Sequence, residues 1–189
     1  MDFVVGGLSA AVRFAINNVA KQRRTLFNSI SQSDAINETA DWSRYAFHEP
    51  LNPHMTAGAV ARHAFPKLGK RVAFLTADYG HGHAMVRGFT TAGKPLGIEV
   101  VADMRHPIGA TDFSTFLPRI QALRPDVLRL CNFGRDQQIS VKPATDFGLK
   151  RTTKLVAPVL LYTARVGGGK EAFAGVVGGT SCYWKVEDS

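Results

Sequence analysis

Short apolar runs alternate with segments of helical periodicity along the whole chain. Runs typical of buried strands lie near Phe3–Val5, Thr25–Phe27, Tyr45–Phe47, Arg71–Thr76, Ile98–Val101, Asp126–Asn132, Lys154–Leu161 and Gly175–Trp184. Between them, apolar residues recur at three- and four-residue spacings, which is the period of an amphipathic helix. Strands that alternate with helices are typical of βαβ units, so the pattern predicts an α/β fold with parallel sheets.

Two helices are predicted in detail. In the first, Ser9 is the predicted cap, and Val12, Ile16 and Val19 form the predicted apolar face. The second is predicted to begin at a cap near Thr111 or Asp112 and to end before the next proline. Its apolar face is predicted to be Phe113, Phe116, Leu117, Ile120 and Leu123.

Composition narrows the class of protein. Of 189 residues, 45% are hydrophobic and 20% are charged, which is typical of a globular chain with a core of its own. The longest apolar runs, such as Leu155–Tyr162, are too short to cross a bilayer, so no membrane insertion is predicted. The segment Met1–Gly7 lacks the basic and apolar regions of a secretory signal.

The net charge of +8 permits an anionic partner without identifying one. The basic residues are scattered and are not interleaved with aromatic residues, so no nucleic-acid partner is predicted. Two cysteines, Cys131 and Cys182, cannot form a disulfide framework and are interpreted as small buried hydrophobic residues.

Motifs that suggest catalysis or cofactor binding are weak. His81 and His83 could hold a metal, but a solvated helix start explains them better, since Asp78 is the only further ligand in view. The segment Gly167–Lys170 imitates a phosphate loop without its first glycine, and Glu171 follows where a Ser or Thr is required. The sequence therefore predicts no cofactor, no metal site and no enzymatic activity.

Serines follow the first two predicted strands. Ser9 opens a helix, and Ser29, Ser31 and Ser33 line the next loop. Ligands of open α/β sheets bind at the carboxyl ends of the strands, where free backbone N–H groups of helix starts attract a carboxylate. The alternative is that these serines only cap helices and form turns, and both interpretations stay open at this point.

Seven blocks resemble the periplasmic substrate-binding proteins of branched-chain amino acid ABC transporters. They are Val4–Val12, Gly69–His83, Arg105–Ser114, Arg124–Leu128, Asn132–Asp136, Phe147–Leu149 and Gly178–Trp184. Their order and spacing fit this family over essentially the whole chain. The resemblance implies a type I periplasmic-binding-protein-like α/β fold with two doubly wound parallel-sheet lobes. It also implies hinge closure over a small-molecule ligand and delivery of that ligand to ABC permease subunits.

Carried over by position, the resemblance implies ligand contacts from both lobes. Ser9, Ala10 and Ala11 correspond to the first-lobe loop that meets the ligand's carboxylate. Ser31 and Ser33 would add backbone and hydroxyl contacts from the following loop.

The second lobe would contribute Tyr79 as a cover for the ligand and Phe133 as a second aromatic wall. Amino-acid binders of the family carry an acidic residue after the strand that corresponds to Lys154–Pro158, where it holds the ammonium group. Val159 and Leu160 stand there in this chain. An unpaired buried ammonium group is costly, so an aromatic or aliphatic carboxylate fits better than an α-amino acid. A branched-chain amino acid-like ligand and an amide stay open as alternatives, bound in the cleft between the lobes.

The resemblance also divides the chain. Residues 1–66 are expected to form a partial first lobe, residues 67–182 the second lobe, and residues 183–189 the start of a hinge return. The chain begins where the first lobe of the family is already under way, so that lobe is expected to be incomplete, to leave an apolar face uncovered and to be poorly stable. A full-length parent protein would be periplasmic.

Two residues depart from what their elements favour. Pro143 lies inside a predicted helix and is expected to kink or shorten it, and Arg129 lies inside a buried strand. Three alternatives to a transport receptor stay open: a ligand-sensing regulatory domain of the same fold, an α/β enzyme that uses His81 or His83, and a truncated, non-functional remnant.

Overall fold

Helices and strands alternate along the chain, as the hydrophobic pattern predicts. The structure is a computed structural model that describes residues 2–31, 34, 41–49 and 52–180. Its strands are β1 Phe3–Gly6, β2 Leu26–Ser29, β3 Ala46–His48, β4 Arg71–Ala77, β5 Glu99–His106, β6 Val127–Cys131, β7 Lys154–Val159 and β8 Val177–Gly179. Its helices are α1 Ala10–Arg23, α2 Pro53–Leu68, α3 Gly80–Gly93, α4 Leu117–Ala122, α5 Arg135–Asp146, α6 Tyr162–Gly168 and α7 Lys170–Phe173. Short 3₁₀ turns span Lys94–Leu96 and Leu149–Arg151.

The larger sheet is doubly wound. Its five parallel strands lie in the order β5-β4-β6-β7-β8. The chain moves from β4 outward to β5 and then crosses back to β6 on the other side of β4. The tips of β4 and β6 therefore flank the point where the strand order reverses, which is where ligands bind in open α/β sheets.

Helices cover both faces of this sheet. Alternate residues of its strands point to opposite sides, so each face presents apolar side chains to the helices. On one face, α2 and α3 pack through Phe65 and Phe89 against Phe74 of β4. On the other face, α4 and α5 pack through Ile120 and Val141 in the second core cluster.

Helix α2 contributes its apolar side to the core of the larger sheet. Its buried Ala57, Val60 and Ala61 pack in the same cluster as β4 and α3. The predicted division at residue 66 assigns this helix to the first lobe, whereas its packing joins it to the second. We propose that the boundary lies between β3 and α2. The predicted hinge return at residues 183–189 lies outside the described residues.

The smaller sheet has helical cover on one face. Its three parallel strands lie in the order β1-β2-β3, and α1 contacts β2 and β3. Phe27 is fully buried on the covered face. On the other face, Phe3, Val5, Leu26 and Phe47 are each between 49% and 63% exposed and border a groove of 490 Å³. This is the uncovered apolar face that the sequence predicts.

The buried face of α1 differs from the predicted one. Val12 and Val19 are more than half exposed, and Arg13 and Asn17 are buried in their place. Arg13 donates to the carbonyl of Ser31 at 3.1 Å, and Asn17 donates to the carbonyl of Asp41 at 2.8 Å. The prediction of an apolar face was wrong for Val12 and Val19, because the inward side of this helix also meets polar loop backbone, whereas Ile16 is half-buried. The inward side of α1 therefore needs hydrogen-bond donors.

The helix predicted from Phe113 is shorter than expected. The carboxylate of Asp112 accepts hydrogen bonds from the backbone and hydroxyl of Ser114, which forms a local turn instead of a helix cap. Helix α4 begins only at Leu117, with Pro118 in its first turn, although Phe113 is still buried. Helix α5, in contrast, continues through Pro143 to Asp146.

Cys131 is fully buried and unoxidised, and burial raises the pKa of its thiol. Cys182 lies outside the described residues. Within the described part of the chain, every helix is either too short or too polar to cross a membrane.

Candidate functional site

Three aromatic rings lie side by side where the strand order of the larger sheet reverses. Tyr79 follows β4 and precedes the first residue of α3, while Phe133 follows β6. His81, in the first turn of α3, lies between them. Its ring centroid is 5.8 Å from that of Tyr79 and 6.3 Å from that of Phe133. Both predicted second-lobe residues are therefore in one aromatic row, which sequence reasoning did not connect through His81.

A glycine allows α3 to begin so close to the strand tips. A Cβ atom at Gly82 would lie 2.1 Å from the carbonyl oxygen of Ala77 and 3.1 Å from that of Cys131. Only glycine fits there, since real Cβ atoms do not approach backbone oxygen atoms to 2.1 Å. The flanking glycines of His81 are the sequence signal that could have identified it as a residue of a tightly packed site.

The first turn of α1 meets the first turn of α3. A Cβ atom built on Gly80 would lie 3.9 Å from the Cβ of Ala10, and the two helices are in contact. Ala10 is buried, whereas its neighbours Ser9 and Ala11 are exposed. The loop after β1 and the loop after β4 therefore face each other, which brings Ser9, Ala10, Ala11 and Tyr79 into one region of the molecule.

Ser9 precedes α1 in an extended conformation, and its side chain makes no capping hydrogen bond. Its carbonyl accepts the first hydrogen bond of the helix, from the N–H of Arg13 at 2.9 Å. The hydroxyl of Ser9 and the N–H groups at the start of the helix can therefore serve an anion, because the positive end of the helix dipole lies there. The alternative of Ser9 as a side-chain cap does not agree with this geometry.

Ser31 is fully buried. Its N–H donates to the hydroxyl of Ser29 at 3.2 Å, and its carbonyl lies 3.1 Å from Nη1 of Arg13 and 2.6 Å from Nε2 of His48. Its own hydroxyl has no partner among the described residues. Ser31 thus fixes the loop backbone, and its predicted hydroxyl contact with a ligand would require the loop to open. Ser33 lies outside the described residues.

Burial dominates the electrostatics of this region. It raises the pKa of the Tyr79 phenol to about 12, with a smaller contribution from the negative charge of Asp136. It also lowers the pKa of Arg13 to about 10. Tyr79 is therefore a neutral hydrogen-bond donor at physiological pH, and Arg13 stays cationic near the start of α1.

Buried amide groups hold the second-lobe strand tips together. Nε2 of Gln137 donates to the carbonyl oxygens of Val159 at 3.0 Å and Asn132 at 3.3 Å. Nδ2 of Asn132 donates to the hydroxyl of Ser140 at 3.1 Å. These bonds fix the tip of β6, and with it Phe133, relative to the end of β7.

The two histidines of α3 differ in surroundings. His83 pairs with Asp78, with Nε2 and Oδ1 2.7 Å apart, and its side chain is one-third exposed. His81 is 7% exposed. Across the described residues, no three His, Cys, Asp or Glu side chains are grouped to hold a metal ion.

Two surface grooves lie away from these residues. One, of 580 Å³, lies near the amino ends of the strands of the larger sheet and includes Pro118, Arg124 and Asp126. The other is the exposed face of the smaller sheet. Neither is lined by the predicted ligand-binding residues.

A family model described as "periplasmic binding protein" matches residues 1–189 of this chain. The chain belongs to this family. The resemblance in the sequence is thereby confirmed, as is the type I fold with its parallel sheets. Among solved structures, a periplasmic binding protein from Burkholderia mallei is similar, with a TM-score of 0.92 and 30% identity over 99% of this chain.

Two further proteins are similar to this chain, the first in sequence and the second in fold. Leu/Ile/Val-binding protein homolog 6 of Brucella abortus is 33% identical over 79 residues, which are 42% of this chain and 20% of that protein. An ABC transporter solute binding protein from Rhodopseudomonas palustris, solved with p-hydroxybenzoic acid, has a TM-score of 0.82 at 22% identity, over 90% of this chain and 47% of that one. The chain spans 50% of the length of the Burkholderia protein.

Proposed function

We propose that this periplasmic binding protein is the solute-receptor component of an ABC uptake transporter. It takes a small carboxylated ligand between the loops after β1 and β4, is not an enzyme and acts in the periplasm. The approach of Ala10 to Gly80 carries the proposal, because it sets a helix start of the smaller sheet opposite the aromatic row of the larger one.

The ligand's carboxylate is assigned to the start of α1. Ser9 is exposed there with a hydroxyl that does not cap the helix, and backbone N–H groups and the dipole of α1 favour an anion. Tyr79 and Phe133 then cover the body of the ligand, since flat rings bury apolar surface at little entropic cost. Hinge closure follows when these contacts form only in the closed state.

Calorimetric titration of the full chain tests this function. The probes are leucine, 4-hydroxybenzoate and 4-hydroxybenzyl alcohol, the last of which keeps the ring and loses the carboxylate. We expect saturable binding of 4-hydroxybenzoate and none of the alcohol. Binding of neither acid, or equal binding of acid and alcohol, would contradict the proposal.

Val159 and Leu160 support the choice of an organic acid over an α-amino acid. Val159 is buried and apolar, and its carbonyl is occupied by Gln137. The described residues that follow β7, Leu160–Thr163, include no carboxylate that could balance an ammonium group. Leucine is therefore expected to bind more weakly than 4-hydroxybenzoate.

A further inference from the structure

We propose that the end of the larger sheet away from the ligand loops binds a surface of anionic phospholipids. The basic residues are scattered along the sequence, but parallel pairing gathers the segments that precede the strands at one end of the sheet. The cations and exposed apolar side chains of that end fit a bilayer with negatively charged headgroups. This inference goes beyond the proposed function and does not depend on the identity of the ligand.

The strand register brings these segments together. Arg71 at the start of β4 lies opposite Glu99 at the start of β5. On its other side, the carbonyl of Arg71 accepts the N–H of Asp126 at 2.9 Å. The carbonyl of Asp126 in turn accepts the N–H of Lys154, the first residue of β7, at 2.8 Å. Four neighbouring strands therefore begin side by side. We call the segments around their starts, 67–71, 94–99, 123–126 and 146–154, the basic end.

The basic end is strongly positive. It contains eight Lys and Arg residues and three carboxylates, whereas the segments after β4, β5 and β6 (78–83, 106–116 and 132–136) contain one Arg and three carboxylates. The resulting net charge of +5 is most of the +8 of the whole chain. The eight cations are Lys67, Lys70, Arg71, Lys94, Arg124, Lys150, Arg151 and Lys154.

Nearby carboxylates leave most of these cations unpaired. Glu99 pairs with Arg71, with Oε2 and Nη1 2.8 Å apart. Oδ2 of Asp126 accepts the backbone N–H groups of Lys70 and Arg71, each at 2.9 Å. Within the described ranges of the chain, Arg71 is the only cation of the basic end in an ion pair, and all the others except Lys150 are exposed. Their charge is therefore available to a partner.

Stabilisation of helix ends does not explain this distribution. A cation in the last turn of a helix interacts favourably with the helix dipole, and Lys67 of α2 lies in such a turn. The last turns of α3 and α5 contain no basic residue. Lys70 and Lys154 instead lie directly before β4 and at the start of β7, and sheets have only small net dipoles. The grouping of these cations thus points to a partner outside the fold.

Two exposed apolar residues favour a bilayer as that partner. Leu123 and Phe147 follow the last residues of α4 and α5 and are 37% and 50% exposed. Arg124 is the neighbour of Leu123 in the chain. Nε of Arg151 lies 3.6 Å from the Cβ position of Gly148, next to Phe147. Cations beside exposed apolar side chains are typical of surfaces that bind headgroups and enter the acyl boundary.

A nucleic acid fits the basic end less well. Proteins that bind single strands combine cations with aromatic rings on which successive bases stack. Phe147 is the one aromatic residue in the four segments of the basic end.

Co-sedimentation of the full chain with lipid vesicles tests the inference. Vesicles of phosphatidylcholine mixed with phosphatidylglycerol supply the anionic surface, and vesicles of phosphatidylcholine alone supply the neutral one. We expect binding to the anionic vesicles that weakens as the salt concentration rises, because salt screens exposed charges. Equal binding to both kinds of vesicle, or binding to neither, would overturn the inference.

Neutral variants locate the binding surface. Arg124→Gln, Arg151→Gln and Lys154→Gln should each weaken binding to the anionic vesicles by about fivefold, and their combination by about a hundredfold. The single variants keep the test decisive if the combination fails to fold. Phe147→Ser should also weaken binding by about fivefold, since half of its surface can enter the acyl boundary. Thermal unfolding checks that each variant is folded.

The matched control removes the same charge elsewhere. It combines Arg62→Gln, Arg87→Gln and Arg165→Gln, which lie at exposed positions inside α2, α3 and α6. This variant should bind the anionic vesicles within about threefold of wild type, because its cations lie away from the basic end. An equal loss in the two triple variants would show that only the net charge of the chain matters.

An oligothymidylate at the same salt concentration tests the other class of partner. Binding of this single strand more tightly than the anionic vesicles would assign the basic end to nucleic acid and overturn the choice of a lipid surface. Weaker binding of the oligothymidylate supports the lipid surface.

Discussion

Ala10 and Gly80 meet although they follow strands of different sheets. The Cβ position of Gly80 is 3.9 Å from the Cβ of Ala10, which is ordinary van der Waals contact. A methyl group is tolerated at that distance, whereas a longer side chain has to displace Ala10. The two sheets can therefore approach this closely only because both residues are small.

A graded series at Gly80 tests the consequence for binding. We expect Gly80→Ala to keep the affinity for 4-hydroxybenzoate within about twofold, and Gly80→Leu to weaken it by tenfold or more, since a wedge at this contact opposes closure. Gly58→Leu is the control, because a Cβ at Gly58 has no atom within 4 Å. Equal affinities of the Gly80→Ala and Gly80→Leu variants in calorimetry would disprove that the contact limits closure.

Ionisation of the Tyr79 phenol is expected to lower the free energy of unfolding at alkaline pH. Its pKa is raised to about 12 in the folded chain, against about 10 in an unfolded one. Between these values the folded state binds more protons, so the free energy of unfolding falls as the pH rises. The loss is at most about 3 kcal/mol, because each of the roughly two pKa units corresponds to about 1.4 kcal/mol.

Chemical denaturation between pH 9 and pH 12 measures this effect. Tyr79→Phe is the control, because it keeps the ring and removes the titrating group. The free energy of unfolding of the wild type, relative to that of Tyr79→Phe, should decline across this pH range. A constant difference would show that the phenol titrates alike in both states.

Arg129 is a buried charge in the core, and the structure shows no ion pair for it within the described ranges of the chain. It is fully buried on β6, with its guanidinium carbon 4.2 Å and 4.3 Å from the ring centroids of Phe65 and Phe89. None of its three nitrogen atoms has a hydrogen-bond partner among the described residues, and burial lowers its pKa to about 10. The two ring contacts recover only part of the cost of removing the charge from water.

We therefore expect Arg129→Met to stabilise the chain. The thioether keeps length and ring contacts without the charge, and similar replacements of buried charges add about 1–3 kcal/mol to the free energy of unfolding. Arg129→Lys should destabilise, because it keeps the charge and loses the planar stacking. Urea denaturation measures both, and a Met variant less stable than wild type would show that the ring contacts outweigh the buried charge.

Two phenylalanines of the smaller sheet are expected to lose stability to very different extents on the same substitution. Phe27 is fully buried beneath α1, and Phe47 on the neighbouring strand is 58% exposed on the other face. Phe27→Thr should lower the free energy of unfolding by about 3 kcal/mol or more. Phe47→Thr should cost less than about 1 kcal/mol, because little surface returns to water.

The Phe47 variant also tests the exposed face. Fluorescence of a dye that binds apolar surface should fall in Phe47→Thr, since contiguous exposed apolar patches bind such probes and promote association. Equal destabilisation of the two variants would show that both residues are buried in solution.

The sequence predicts most of the strands, and it fails where polar groups replace apolar ones. Arg71–Thr76 is found almost unchanged as β4, because six of its seven residues are buried and the apolar run is continuous. The face of α1 is mispredicted because Arg13 and Asn17 point inward to loop carbonyl groups, and no periodicity rule assigns charged residues to a buried side.

In the candidate site, too, the hydrophobic pattern predicts the positions that depend on strand ends and misses those that depend on tertiary contacts. Tyr79 and Phe133 lie just beyond the ends of β4 and β6, since strand ends are set by the hydrophobic pattern, and their contact with a ligand stays a prediction. His81 is missed because its burial depends on the close approach at Gly82, which is a tertiary contact. The burial of the Ser31 hydroxyl likewise depends on the packing of Arg13 and His48 around its loop.

The difference in cover between the two sheets predicts a difference in local stability. A parallel sheet is ordinarily buried on both faces, and the smaller sheet has one face with Phe3 and Phe47 exposed. Local opening costs least where few apolar contacts are broken, so backbone amides of β2 should exchange faster than those of β6. Both are central strands, which makes them matched positions. Native-state hydrogen exchange measures the two, and equal protection would mean that the smaller sheet is as stable as the larger one despite its exposed face.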